Sequence, residues 1–291
     1  HVRTRSQTQP ALVAMRTATR CFPLLVGRRS AYSGTDGLTQ RVIDAAKRRL
    51  GPRTSQAQSA SLPLEDDVRG AVAATVASKN GYQAWSLYTA LRQGGVPLDS
   101  SSVDALAGAM LHVDHELHAD LASRRTLSVL DADRQAGQRP TRDLLRHSAS
   151  ACALSGLPDL AEALCKESEA FHLSKVGHLD LPMRASLISA CGAAGQLERA
   201  FEVYRRMEEA TGRQPPSASV AIALLGACVS AGHLKRARVL LEELRGLTSF
   251  EIGPGALVPL LRGAAKAVDV ACAEELLALA EEYRVDVRVT A

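Results

Sequence analysis

Apolar residues along most of this chain recur at helical spacing, and the spacing itself recurs. In "PMRASLISACGAAG" Leu187, Ile188 and Cys191 fall three and four apart. After Gly195, the stretch "GQLERAFEVYRRMEEA" sets Leu197, Ala200, Phe201, Tyr204 and Met207 along one face. Glu198, Arg199, Glu202, Arg205 and Arg206 take the opposite face. Each half reads as an amphipathic helix, and Gly195 reads as the turn between them.

The same words return 37 residues later. "GQLERA" at Gly195 to Ala200 is answered by "GHLKRA" at Gly232 to Ala237, and Cys191 is answered by Cys228. Moving 37 residues upstream from Leu197 and Ala200 reaches Leu160 and Ala163, and moving 36 downstream from Leu234 and Ala237 reaches Val270 and Ala273. Gly81 and Ala84 take these roles in a further unit, and a degenerate unit is expected between Ala84 and Ala163. A period in the thirties means stacked supersecondary units, because one hairpin cannot bury both of its apolar stripes alone. The small alanine is expected where the second helix crosses the first and the backbones come close. The predicted fold is therefore all-α: a solenoid of about six helix-turn-helix units over 64–288.

Composition agrees with that fold. The chain is rich in Ala and Leu and has few aromatic residues (four Phe, one Trp, five Tyr), which suits close-packed helices better than a β-sandwich. Six cysteines form no C-x-x-C pair, so neither a zinc ribbon nor a thioredoxin-type motif is available. Cys191 and Cys228 read as small buried hydrophobes. The longest uncharged apolar stretch, Ser217 to Gly232, falls short of the roughly 20 residues of a membrane span.

Charge divides the chain. Residues 1–53 hold eleven Lys/Arg against Asp36 and Asp44, whereas the remainder has an excess of acids. From Met15 the stretch "MRTATRCFPLLVGRRSAYSG" is Arg-rich and acid-free, as in an organelle transit peptide, mitochondrial before plastid. Residues 1–63 are thus expected to be a basic leader and disordered linker, with "GPRTSQAQSASLP" as the linker. The closing "EEYRVDVRVTA" reads as the lead-in to a further repeat, so 289–291 is expected to be a truncated tail.

The chain resembles the pentatricopeptide-repeat family at its Gly-x-Leu-x-x-Ala turns (Gly195, Leu197, Ala200; Gly232, Leu234, Ala237), at Met207, and at "GGVPLDSSSVDALAGAM". Tetratricopeptide repeats are the nearest rival, but their Trp-x-x-Leu-Gly opening and the Pro before the next unit are not seen. The resemblance implies binding of single-stranded RNA in an organelle, each repeat reading about one base with two or three side chains. It places the reading positions of the first helices at Ala71, Asp104, Ala185, Ile222 and Val258, of which only Asp104 can hydrogen-bond a base. At the repeat ends Asp99 fits, whereas Ser217 and Gly253 do not. Lys79 and Lys266 match the phosphate-contacting lysine late in the first helix, and Arg142, Arg146, Arg184 and Arg262 complete the candidate RNA contacts. Such sparse cations imply weak binding with little selectivity.

Other constellations have plainer readings. "HVDHELHAD" places His112, His115 and His118 beside Asp114, Glu116 and Asp120. On a helix these imidazoles fan out too widely for more than two to share a metal, so a solvated face is expected and no metal site. Glu65 to Asp67 suit a helix start. Trp85 and Tyr88 are expected in the core. No phosphate-binding loop or nucleophile elbow is present, so neither an enzymatic role nor a cofactor is expected. Two functions remain: an organellar RNA-binding repeat protein, or a protein scaffold in a mitochondrial ribosome or respiratory assembly.

Overall fold

The computed structural model describes residues 37–48, 65–112, 118–172, 180–210, 217–246 and 252–285. Among them are thirteen helices and no strand: α1 (Gly37–Arg48), α2 (Glu65–Ala77), α3 (Gly81–Gln93), α4 (Ser100–Met110), α5 (Ala119–Gln135), α6 (Arg142–Ser155), α7 (Pro158–His172), α8 (Leu181–Ala193), α9 (Leu197–Ala210), α10 (Ala218–Ser230), α11 (Leu234–Arg245), α12 (Pro254–Ala267) and α13 (Val270–Glu282). From α2 onward they pair into six hairpins, the expected number. Each first helix (α2, α4, α6, α8, α10, α12) packs on the first helix of the next hairpin, and a second helix packs on its own partner. The first helices thus form a continuous inner layer.

One backbone device closes most of the hairpins. Gly156, Gly195 and Gly232 take left-handed φ values of 59°, 72° and 79°, which an L side chain disfavours. The residue after each glycine donates its amide to a buried cysteine five residues back: Leu157 to Cys152, Gln196 to Cys191 and His233 to Cys228, at 3.0, 2.8 and 2.8 Å. This is the bonding of a Schellman cap, accepted by the backbone carbonyl; the cysteine side chains at this repeat position are fully buried, as small hydrophobes. Lys79 and Val268 hold the same left-handed place in their own hairpins, at φ 50° and 55°. Gly81 is therefore not the turn glycine. It opens α3, where a Cβ would meet the carbonyl oxygens of Met110 and His112 at 2.8 and 2.9 Å.

Alanine sits at the crossing as expected in three hairpins: Ala84, Ala200 and Ala237 are fully buried. One assignment shifts. Gly156 lies 39 residues before Gly195, so Ala161 is the buried crossing residue and Ala163 is exposed. In the last hairpin Ala273 follows Val268 by five residues, as Ala200 follows Gly195, but it is only partly buried, beside the fully buried Cys272. The degenerate unit is α4 with α5. Of its polar "HVDHELHAD", His112 follows α4, His118 precedes α5 and Asp120 lies in the first turn of α5, whereas Asp114, His115 and Glu116 fall outside the described residues.

The array starts earlier than residue 64. Helix α1 packs on both α2 and α3, burying Val42, Ile43 and Ala46 in the common core. Its Thr39 hydroxyl reaches the Ala71 carbonyl at 3.4 Å. Arg41, Asp44, Lys47 and Arg48 stay exposed, so a basic stretch expected to belong to the leader covers the first hairpin with a polar outer face. The rest of the expected leader lies outside the described residues. No described helix is long and apolar enough to cross a membrane.

Candidate nucleic-acid interface

Between the buried stripes of the first helices runs a solvent-facing stripe, and the repeat period aligns its residues. On α4 it presents Asp104, on α6 Arg146, His147 and Ser150, on α8 Ser186 and Ser189, on α10 Ser219, Ile222 and Gly226, and on α12 Val258 and Arg262. Neighbouring helices touch across it. The Thr141 hydroxyl bonds the Asp104 carboxylate at 2.6 Å. The hydroxyls of Ser150 and Ser186 lie 3.3 Å apart, and a Cβ on Gly108 would meet the His147 ring at 2.8 Å. Burial pushes the Asp104 carboxyl up against the pull of its Thr141 bond. Burial likewise pushes the His147 imidazole down, so at neutral pH this ring is an uncharged donor and acceptor.

The eight expected RNA contacts do not form one cluster. Asp99 caps α4, accepting the Ser102 amide at 2.7 Å. Hydrogen bonds from Ser102, side chain first and backbone second, hold its carboxyl below the usual range. Arg142 and Arg146 both reach Asp180, with Nε to Oδ2 at 2.7 and 3.2 Å. The Asp180 side chain is fully buried, so these two guanidiniums balance a desolvated charge. Arg146 also pairs with Asp143 at 3.2 Å. Arg184 grips both oxygens of Glu169, at 2.7 and 2.8 Å. Lys79 lies in the turn after α2 and not late in that helix. Arg262 and Lys266 are exposed on α12, Lys266 in its last turn as expected.

Most remaining arginines of the array tie second helices together. Arg199 on α9 bonds Asp159 and Glu162 on α7 at 2.8 and 2.7 Å. Bonds from Lys166 and Arg199 hold the Glu162 carboxyl down to about 2. One repeat later Arg236 on α11 bonds Glu198 on α9 at 2.6 Å and lies over the Phe201 ring, 3.9 Å from its centroid. Arg134 pairs with Glu167 and Arg238 with Glu275. Arg125 lies over Tyr82 and Trp85, and Trp85 stacks on the buried Tyr88. Sequence reasoning missed this ladder. The signal was present: acid and arginine recur 33 to 40 residues apart on the polar faces of successive second helices.

The five described cysteines are buried, and burial pushes the thiols of Cys152 and Cys165 up to about 12. A thiol so shifted is not a nucleophile at neutral pH. Among the described residues no group of three or more His, Cys, Asp or Glu could hold a metal ion.

Comparison with known proteins supports the repeat and the fold. A family model described as a PPR repeat matches residues 185–210, which span most of α8 and all of α9. Among curated proteins none matches the sequence. Two structures of the nuclear protein-only RNase P 2 of Arabidopsis thaliana are similar. One is 23% identical over 62% of this chain and 38% of its own, with a TM-score of 0.48. The other is 20% identical over 69% and 42%, with a TM-score of 0.49. The pentatricopeptide repeat protein PPR10 from maize is 20% identical over 96% of this chain and 38% of its own, with a TM-score of 0.52. This chain therefore spans about four tenths of the length of the solved proteins it matches. The likeness to the maize protein is one of fold: stacked helical hairpins among the described residues. This chain therefore carries a pentatricopeptide repeat over α8 and α9, within a helical-repeat fold similar to that of the maize protein.

Proposed function

We propose that this chain is a non-catalytic, organellar RNA-binding repeat protein that holds single-stranded RNA weakly along the solvent-facing stripe of its first helices. The observation that carries the reading is the alignment, at repeat spacing, of hydrogen-bonding groups: Asp104, His147, Ser150, Ser186 and Ser189, beside the exposed cations Arg262 and Lys266. Groups of this kind meet base edges and sugars, whereas cations meet phosphates. The Arg-rich, acid-free stretch from Met15 supports an organellar address, mitochondrial before plastid.

Weakness follows from the ion pairs. Arg142, Arg146 and Arg184 are held by acids, so they release few counterions when RNA arrives. If about three phosphates are neutralised, the single-strand salt slope is only about −2. The test is titration of residues 36–291, which retain α1, with a pool of short RNAs at two salt concentrations. Weak binding with a shallow slope is expected. Tight, sequence-specific binding would show that the engaged arginines are released to the ligand.

A second reading is a protein scaffold. It is favoured by α10, whose solvent stripe has no Lys or Arg, and by the acidic excess outside residues 1–53. Absence of RNA binding even at low salt would select it.

A further inference from the structure

One seam of the outer layer departs from the pattern of the others. Across the seam of α7 and α9, Arg199 precedes the crossing Ala200 and reaches Asp159 and Glu162, which stand two before and one after the crossing Ala161. Across the seam of α9 and α11, Arg236 precedes Ala237 and meets the same two places, held there by Glu198 and Phe201. The register recurs between α3 and α5, where Arg125 precedes the fully buried Thr126. Here Tyr82 and Trp85 stand two before and one after the crossing Ala84, and the guanidinium lies 5.1 and 5.7 Å from their ring centroids. Both places that can hold a carboxylate in the other seams are aromatic in this one.

The result is a partly buried guanidinium without a counter-charge. Among the described residues no acid pairs with Arg125, and Asp120 on the same helix is taken by Arg124 at 2.6 Å. Burial lowers the Arg125 pKa, against a smaller opposing pull from Tyr82. A charge withdrawn from water is costly until a partner meets it. The rings attract the charge but leave the in-plane N–H donors of the guanidinium without acceptors. The rim is apolar and open: Tyr82 is 63% exposed, and Leu121, one turn before Arg125 on α5, is 45% exposed. Tyr, Trp and Arg gathered around a desolvated charge have the composition of an interface hot spot.

We propose that the seam of α3 and α5 docks an acidic segment of a partner protein, whose Asp or Glu carboxylate meets Arg125 and whose neighbouring apolar side chain lies on Tyr82 and Leu121. The partner thereby supplies what Asp159 and Glu198 supply from within the chain at the equivalent places, and a planar carboxylate fits the guanidinium edge with two parallel hydrogen bonds. A nucleobase fits less well, because Arg125 lies over the rings on which it would stack. The seam belongs to the outer layer and is separate from the stripe proposed for RNA, so either reading can fail without the other.

Trp85 is the single tryptophan of the chain, so its emission reports on this seam directly. The probe is a displayed library of random short peptides selected on the full chain. The enriched peptides should carry Asp or Glu beside an apolar residue, and the synthetic consensus should shift Trp85 emission saturably. Replacing the consensus acid by its amide should weaken binding about tenfold or more, and so should Arg125→Met, which keeps the apolar stem. Tyr82→Ser, at an exposed position, should weaken it severalfold and decides the matter if Arg125→Met loses stability. A consensus without acids, one that leaves Trp85 emission unmoved, or equal affinity for the original chain and the variants would overturn the proposal. A short single-stranded RNA that shifts Trp85 emission in the original chain but not in Arg125→Met would overturn it in favour of a phosphate. Emission that moves with protein concentration alone would assign the seam to a second copy. If Asp114→Asn with Glu116→Gln changes the emission as Arg125→Met does, the chain's own acids fill the seam and the proposal falls.

Discussion

The inner and outer layers of this array are built from the same hairpins but are held by different forces. On α10, in the inner layer, seven of thirteen residues are buried: Val220, Ala221, Ala223, Leu224, Leu225, Ala227 and Cys228. On α11, in the outer layer, only Ala237, Leu241 and Leu244 are buried. The inner helices come so close that a Cβ on Gly192 would collide with the backbone and side chain of Ala227. The outer helices meet through long side chains, arginine to acid and arginine to ring. The few arginines of the inner helices α6 and α8 are tied to acids, and the wider outer spacing is bridged by the long side chains of others. Most arginines that would suit a nucleic-acid surface are therefore engaged by acids or rings, which is why the stripe proposed for RNA offers few cations.

Gly192 offers the most forceful way to break the contrast. Replacing it with Ala adds one methyl where the obstacle is the backbone of α10, which cannot rotate away. The expected loss is about 3 kcal/mol, at the upper end for overpacking. It should be local: hydrogen exchange should accelerate in α8 and α10 before α2 or α13, because repeats touch only neighbours. A loss under about 0.5 kcal/mol, within the range of ordinary surface changes, would mean that the inner layer gives way, and the distinction between the layers would fall.

What could be read in the sequence follows the same division. Inner-layer features are local and periodic, so the hairpin count, the turns at Gly195 and Gly232, and the crossings at Ala200 and Ala237 were legible. The shift to Ala161 was not, because a spacing of 37 carried past Gly156 lands on the wrong face of α7. Helix α1 was hidden by its charge: its basic residues read as leader, although Val42, Ile43 and Ala46 already formed an apolar stripe. The outer ladder and the Asp180 clamp depend on which side chains face across a seam. That is decided by the cross-repeat register, so arginines engaged by acids looked like candidate RNA contacts.

A smaller effect sharpens the outer side of the comparison. Arg199 links α9 to Asp159 and Glu162 on α7 through partly exposed bonds. Arg199→Met keeps the apolar stem and removes the charge. At neutral pH and low salt the expected cost is about 1 kcal/mol, less in high salt. The Glu162 carboxyl is depressed in the folded protein to about 2. Its stabilisation is present above the ordinary carboxyl range, near 4.5, and is lost as pH falls from there through about 2. Urea unfolding of both proteins at pH 7 and near pH 2 measures this. The gap between them should close at the lower pH. If it stays the same, Arg199 acts by packing, and the outer layer is held as the inner one is.

The smallest expected effect has the opposite sign. Gly226 lies within α10 on the solvent-facing stripe, its φ is not left-handed, and a Cβ there would meet nothing within 4 Å. Glycine in a helix interior costs conformational entropy that alanine does not, so Gly226→Ala should stabilise the array by about 0.5–1 kcal/mol. Gly192→Ala, the same substitution in the preceding first helix, should do the reverse, and thermal unfolding of the two variants side by side shows whether the added methyl meets a seam or solvent. The pair also bears on function. A glycine that leaves backbone open on a binding stripe gives a ligand room to approach closely, and a methyl takes that room away. If RNA lies along the first helices, Gly226→Ala should weaken binding by a small factor while raising the melting temperature. A gain in stability with binding unchanged would move the RNA away from α10, onto the hydrogen-bonding groups of α4, α6 and α8.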